Sequence, residues 1–302
     1  MRTIRDQRRP RFQPRPPRPA GPLRVSVVQY LNTAPLVWGL ERSRAKRYEL
    51  SYATPAACAD ALRKGQVEVG IIPSIEYQSI PGLKVIPGLA IASERKVESV
   101  LLVSKGPARR ARRVALDSSS RTSAALVKIL FARQWKTEPE YFEAPPEAAT
   151  MLAQADAALL IGDPALRLAL HGPHAGLSEI SNLHIYDLAE EWWRLTNLPF
   201  VFAFWAVRAE AAQPEVAAIF QKSRDHGLQP ENLAQIAREW APRVGLSEAE
   251  VLTYLTENID YSLDAENLAA LDYFYQYAVD CGVIAAVPPL QFVGQDVTAR
   301  KD

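Results

Sequence analysis

Twice along this chain, apolar strand-like runs alternate with helical segments, and this alternation constrains the fold more than any other feature. The runs Leu23 to Tyr30, Tyr48 to Ala53 and Val67 to Ile72 are separated by helical stretches that open near Pro35 and Pro55, the second closed by Gly65. Such a β-α-β-α-β order predicts a parallel sheet with helices on its faces. A second set follows. Ser99 to Ser104, Arg113 to Leu116, Glu140 to Phe142 and Ala157 to Ile161 read as strands, with helices ending at Trp135, spanning Pro145 to Ala153 and following Gly162-Asp163-Pro164. Leu198 to Val207 is apolar throughout and longer than a usual strand. Everything after Glu210 reads as helical until Val283, with breaks near Gly227 to Pro230, Pro242 to Leu246 and Gly282.

The expected architecture is therefore α/β, with two lobes and a helical C-terminal region. One lobe takes residues 23–103 and 200–302 and the other 104–199, joined by paired crossings near 99–104 and 199–207. Residues 1–22, rich in arginine and proline and lacking an apolar stretch, read as a disordered tail with no secretory h-region. Open α/β sheets bind ligands at the carboxyl ends of their strands, so the site should lie in the cleft between lobes, with hinge closure as the expected motion.

Composition narrows the partners. With 302 residues and 48% apolar content the chain can bury a full core. Its 35 lysines and arginines balance 34 acids, which gives no field to attract nucleic acid or an anionic membrane. No run of 18 uncharged apolar residues is available to span a bilayer, and the reading is cytoplasmic. The two cysteines, Cys58 and Cys281, are far apart. His171 and His174 flank a Gly-Pro turn, so no metal site is expected.

The candidate site residues lie where strands end. Ser119, Ser120, Arg121, Thr122 and Ser123 follow a strand and open a helix, so their backbone N–H groups and the positive dipole end suit an anion, and Arg121 offers a forked donor. A well-capped helix with a solvated arginine is an equal reading of the same residues. Asn32 can present donor and acceptor to the cleft or stabilise its own turn. Ser74, Gly162 and Asp163 also end strands, with capping the simpler role for Ser74 and Asp163. Phe200, Phe202 and Phe204 share one face of a strand, and Trp192, Trp193 and Trp205 lie near in sequence. Most of these aromatics read as core.

Taken together, QYLNTAPLVWGL, GIIPSIEYQ, ESVLLVS, LDSSSRTSAAL, ADAALLIGDPAL and LPFVFAFWAVR resemble the chorismate dehydratase family of the futalosine route to menaquinone, over residues 24–209. The resemblance implies the class II periplasmic-binding-protein fold and loss of water from chorismate to give 3-enolpyruvylbenzoate. It implies no metal or organic cofactor, and places the catalytic asparagine and serine on Asn32 and Ser99. Neither side chain is a base at neutral pH, and the implied base is the enolpyruvyl carboxylate of the substrate. A non-catalytic binding protein for small carboxylates and the related 1,4-dihydroxy-6-naphthoate synthase share the implied fold. The YLN and SRTS motifs favour the dehydratase.

Overall fold

The computed structural model describes residues 21–43, 47–173, 177 and 183–294. The tail through residue 20 and His174 lie outside them. The chain opens with β1 (Leu23–Val28), a 3-10 turn at Leu31–Thr33 and α1 (Ala34–Glu41), then β2 (Tyr48–Ala53), α2 (Pro55–Arg63), β3 (Val69–Pro73) and β4 (Leu83–Ser93). Thr54 caps α2 by accepting the Ala57 N–H, and Pro55 supplies the preset dihedral of the first turn.

The next strands are β5 (Val100–Ser104) and β6 (Arg113–Asp117), followed by α3 (Arg121–Leu130), β7 (Glu140–Ala144), α4 (Ala148–Gln154) and β8 (Ala157–Ile161). Then come α5 (Gly162–His171), β9 (His184–Asp187) and α6 (Leu188–Thr196). The chain returns along β10 (Phe200–Arg208) and ends in α7 (Pro214–Gly227), α8 (Pro230–Val244), α9 (Glu248–Thr253) and α10 (Ala265–Asp280).

These strands form two five-stranded sheets, ordered β2-β1-β3-β10-β4 and β7-β6-β8-β5-β9. In each, the first three strands are parallel, as the β-α-β-α-β order predicts. Each sheet also holds a strand delivered from the other half, β10 in the first and β5 in the second, antiparallel to both neighbours. The molecule is thus a two-lobed α/β protein. The strands expected to be crossings are sheet members, and the chain passes between sheets in the segments 94–99 and 197–199. We place the lobe boundary there rather than at residue 103.

Two strands have weak sequence signals. In β4, Pro87 and Gly88 interrupt the apolar run, and the pairing with β10 slips around them. Proline and glycine are tolerated there because β4 is an edge strand and the interruption is taken up as a bulge. The other, β9, is a short and largely exposed edge strand with no apolar run.

The C-terminal helices pack mainly on the first sheet, where α7 lies against α1. Ser223 of α7 accepts the Gly39 and Leu40 N–H groups at 3.0 and 3.2 Å and donates to the Leu36 carbonyl at 2.8 Å. At the end of α7, a Cβ on Gly227 would lie 2.0 Å from the Pro35 carbonyl oxygen. Only backbone movement could relieve such an overlap, so Gly227→Ala is expected to lower stability by about 3 kcal/mol. Urea unfolding tests this, and an unchanged midpoint would mean that α7 shifts off α1 without penalty.

Candidate active site

A cavity with about 550 Å³ of empty space, part of it open to solvent, lies between the two sheets. The first half lines it with Val28, Tyr30, Asn32, Thr33, Pro55, Ile71, Pro73 and Ile91, and the second with Ser120, Thr122, Ser123, Ile161 and Gly162. Val97, Ser99, Val100, Phe202 and Ala203 complete it from the first crossing and the strands β5 and β10. Its walls are apolar with a few polar groups, the make-up of a small-molecule site. Of the aromatic face at 200, 202 and 204, only Phe202 reaches the cavity, and Phe200 and Phe204 are core.

Asn32 sits in the 3-10 turn after β1. That turn is held locally by Thr33 Oγ1, 2.6 Å from the Val28 carbonyl, and from across the cleft by Asp163, whose carboxylate accepts the Leu31 N–H at 3.0 Å. Asp163 therefore bridges the halves rather than capping α5, and it does not line the cavity. Burial raises the pKa of its carboxyl against the lowering effect of that N–H. Gly162 beside it has φ +69°, and a Cβ there would lie 2.7 Å from the Tyr30 ring. Glycine is thus required twice, for its backbone conformation and for the close approach of Tyr30.

Ser99 is fixed through its backbone. Its N–H donates to the Val97 carbonyl at 2.7 Å, and its own carbonyl accepts the Gly162 N–H at 2.8 Å. The preceding Glu98 holds φ 59°, a left-handed conformation that costs free energy outside glycine. The carboxylate of Asp187 holds this turn by accepting the Val97 N–H at 3.1 Å and the Glu98 N–H at 2.6 Å. It also caps α6 through Ala189 and Glu190. Burial outweighs these donors and pushes the Asp187 carboxyl up to about 6. The Ser99 hydroxyl accepts from the Tyr254 hydroxyl at 2.8 Å.

The hydroxyl cluster divides. Ser120, Thr122 and Ser123 line the cavity. Ser120 forms no side-chain cap on α3, so the first-turn N–H groups of that helix are available to an anion. Ser119 instead turns back on Asp117, donating from N and Oγ at 2.8 and 2.6 Å. Ser74 lies behind the wall, donating to the Val201 carbonyl at 2.8 Å, while the nearby Ile75 N–H donates to Thr122 Oγ1 at 3.3 Å.

Arg121 corrects the expected carboxylate clamp. Its guanidinium donates to Asp60 at 2.9 and 3.1 Å and to Glu76 at 3.0 Å, and it does not line the cavity. Two first-half carboxylates satisfy the fork, so Arg121 ties the halves together.

Tyr30, Asp187 and Tyr254 were not singled out as site residues by sequence reasoning. Tyr30 stands inside the YLN motif, and only its approach to Gly162 reveals its role. Tyr254 and Asp187 carry no local signal. Among the described residues no group of three or more His, Cys, Asp or Glu is placed to hold a metal ion, and no helix is long and apolar enough to cross a membrane.

Comparison with known proteins bears on the family and the fold. A family model described as menaquinone biosynthesis matches residues 23–280. A chorismate dehydratase of Thermus thermophilus is 32% identical over 216 residues, covering 68% of this chain and 78% of that protein. One from Campylobacter jejuni is 27% identical over 208 residues, covering 65% and 73%. Among solved structures, a protein of Archaeoglobus fulgidus superposes with a TM-score of 0.67 at 18% identity, covering 87% of this chain and 98% of that one. The periplasmic aliphatic sulphonate binding protein of Escherichia coli gives 0.59 at 17% identity, covering 94% and 97%. At such identities these structures speak for the two-lobed periplasmic-binding-protein fold alone.

Proposed function

The chain belongs to the menaquinone biosynthesis family, and from that premise we propose that it is a chorismate dehydratase, a lyase that removes water from chorismate to leave 3-enolpyruvylbenzoate. The observation that carries the reading is the meeting of Asn32, Ser99 and the first turn of α3 on one cavity. The α3 turn, with Ser120, Thr122 and Ser123, takes a substrate carboxylate. The apolar walls at Val28, Ile71, Ile91, Ile161 and Phe202 hold the ring, and Asn32 and Ser99 address its reacting edge.

In the elimination one ring C–H bond breaks and its electron pair completes the aromatic ring. The bond to the 4-hydroxyl breaks, and that oxygen leaves with a proton as water. Among the described residues, none of those lining the cavity is an Asp, Glu, His, Lys or Arg. This supports the enolpyruvyl carboxylate of the substrate as the base and leaves the protein to position the substrate and supply fixed hydrogen bonds. No cofactor takes part in this scheme.

Purified protein incubated with chorismate and a chelator should form a product lighter by one water, followed by chromatography and mass. A tight stoichiometric complex without turnover would show a binding protein instead, and turnover abolished by the chelator would sink the cofactor-free scheme.

A further inference from the structure

Tyr254 begins the π-helical turn Tyr254–Asn258 between α9 and α10, remote in sequence from the cavity motifs, and only 2% of it is exposed. The segment just beyond is pinned to β4, where Ala92 and Asp260 exchange two backbone hydrogen bonds at 2.9 Å. From there the tyrosine reaches Ser99, one of the two polar groups proposed to address the ring. Its hydroxyl donates to Ser99 Oγ at 2.8 Å.

A phenol has one hydrogen. With that hydrogen on Ser99, the serine receives its acceptor bond from Tyr254, so its own hydrogen is free to point into the cavity. Burial keeps the Tyr254 hydroxyl protonated far above neutral pH, so it holds hydrogen-bond directions rather than carrying a proton.

Resting on the proposed dehydratase reading, we propose that Tyr254 is a positioning residue for that reaction, holding Ser99 so that the serine hydroxyl is aimed as a donor at the departing oxygen. Chains of hydrogen bonds polarise one another in a dry site, which makes the serine a better donor than it would be alone.

The test is a double-mutant cycle on chorismate turnover with wild type, Tyr254→Phe, Ser99→Ala and the double variant, each checked by thermal unfolding. Tyr254→Phe should lower kcat on the order of tenfold with little change in KM, and should add no further loss in the Ser99→Ala background. If the phenylalanine variant does not fold, Tyr254→Met replaces it in the same cycle. An unaltered kcat in Tyr254→Phe overturns the proposal. So does an equal loss with or without the serine hydroxyl, because a tyrosine that only holds the core together would act in both backgrounds. A wild-type chain that leaves chorismate unchanged overturns the dehydratase reading and this inference with it, whereas wild-type turnover with an indifferent Tyr254 overturns the inference alone.

Discussion

Replacing Asn32 by alanine should lower kcat on chorismate by about 100- to 1,000-fold, the range for deleting one preorganised donor to a transition state, while KM changes far less. The asymmetry follows from how the loop is held. The 3-10 turn keeps its shape through the Thr33 hydroxyl, the Leu31 N–H on Asp163 and the packing of Leu31, none of which uses the Asn32 side chain. The carboxylate site proposed at α3 is likewise untouched. What disappears is the amide that lines the cavity and is proposed to face the ring. Steady-state kinetics separate the two parameters. Equal losses in kcat and 1/KM would make Asn32 a uniform binding contact and remove it from the chemistry.

How much of this site was legible beforehand depended on where each residue stood relative to a strand. Asn32, Ser120, Thr122, Ser123 and Gly162 follow β1, β6 and β8, and Ser99 precedes β5. In an α/β sheet the loops after parallel strands gather at one edge, so locating strands in the sequence locates the site. The misses have a different origin. Arg121 reads as a ligand clamp because a sequence does not show that Asp60 and Glu76 will stand opposite it once the halves meet. Asp163 reads as a cap because its partner, the Leu31 N–H, is 132 positions away. Tyr254 is 155 positions from Ser99, inside an unremarkable helical stretch. Local propensity carries the strands and their loops, whereas contacts across the cleft are fixed only by tertiary packing. β4 marks the same limit within one element, since Pro87 and Gly88 interrupt its apolar run and only the edge position and the bulge accommodate them.

Trp192→Ala should cost about 3 to 5 kcal/mol, a large share of the roughly 5 to 15 kcal/mol that holds a domain folded. Trp192 is fully buried on α6, in the second half, yet its neighbours belong to the first. Its ring meets Phe200 of β10 at 5.4 Å and Phe274 and Tyr277 of α10 at 6.1 and 5.9 Å, all edge-on. Its indole N–H donates to the Pro199 carbonyl at 3.0 Å, within the return crossing. Alanine would therefore open a cavity, remove three aromatic contacts and leave the buried carbonyl without its donor, and each of these effects destabilises. Trp192→Phe keeps much of the volume but not the N–H, so it should lose less, and the difference between the two variants separates packing from the hydrogen bond. Guanidinium unfolding measures both. A loss below about 1 kcal/mol for the alanine variant, within the ordinary spread of point substitutions, would mean that the backbone of 197–199 seats β10 unaided and that the aromatic cluster does not join the lobes.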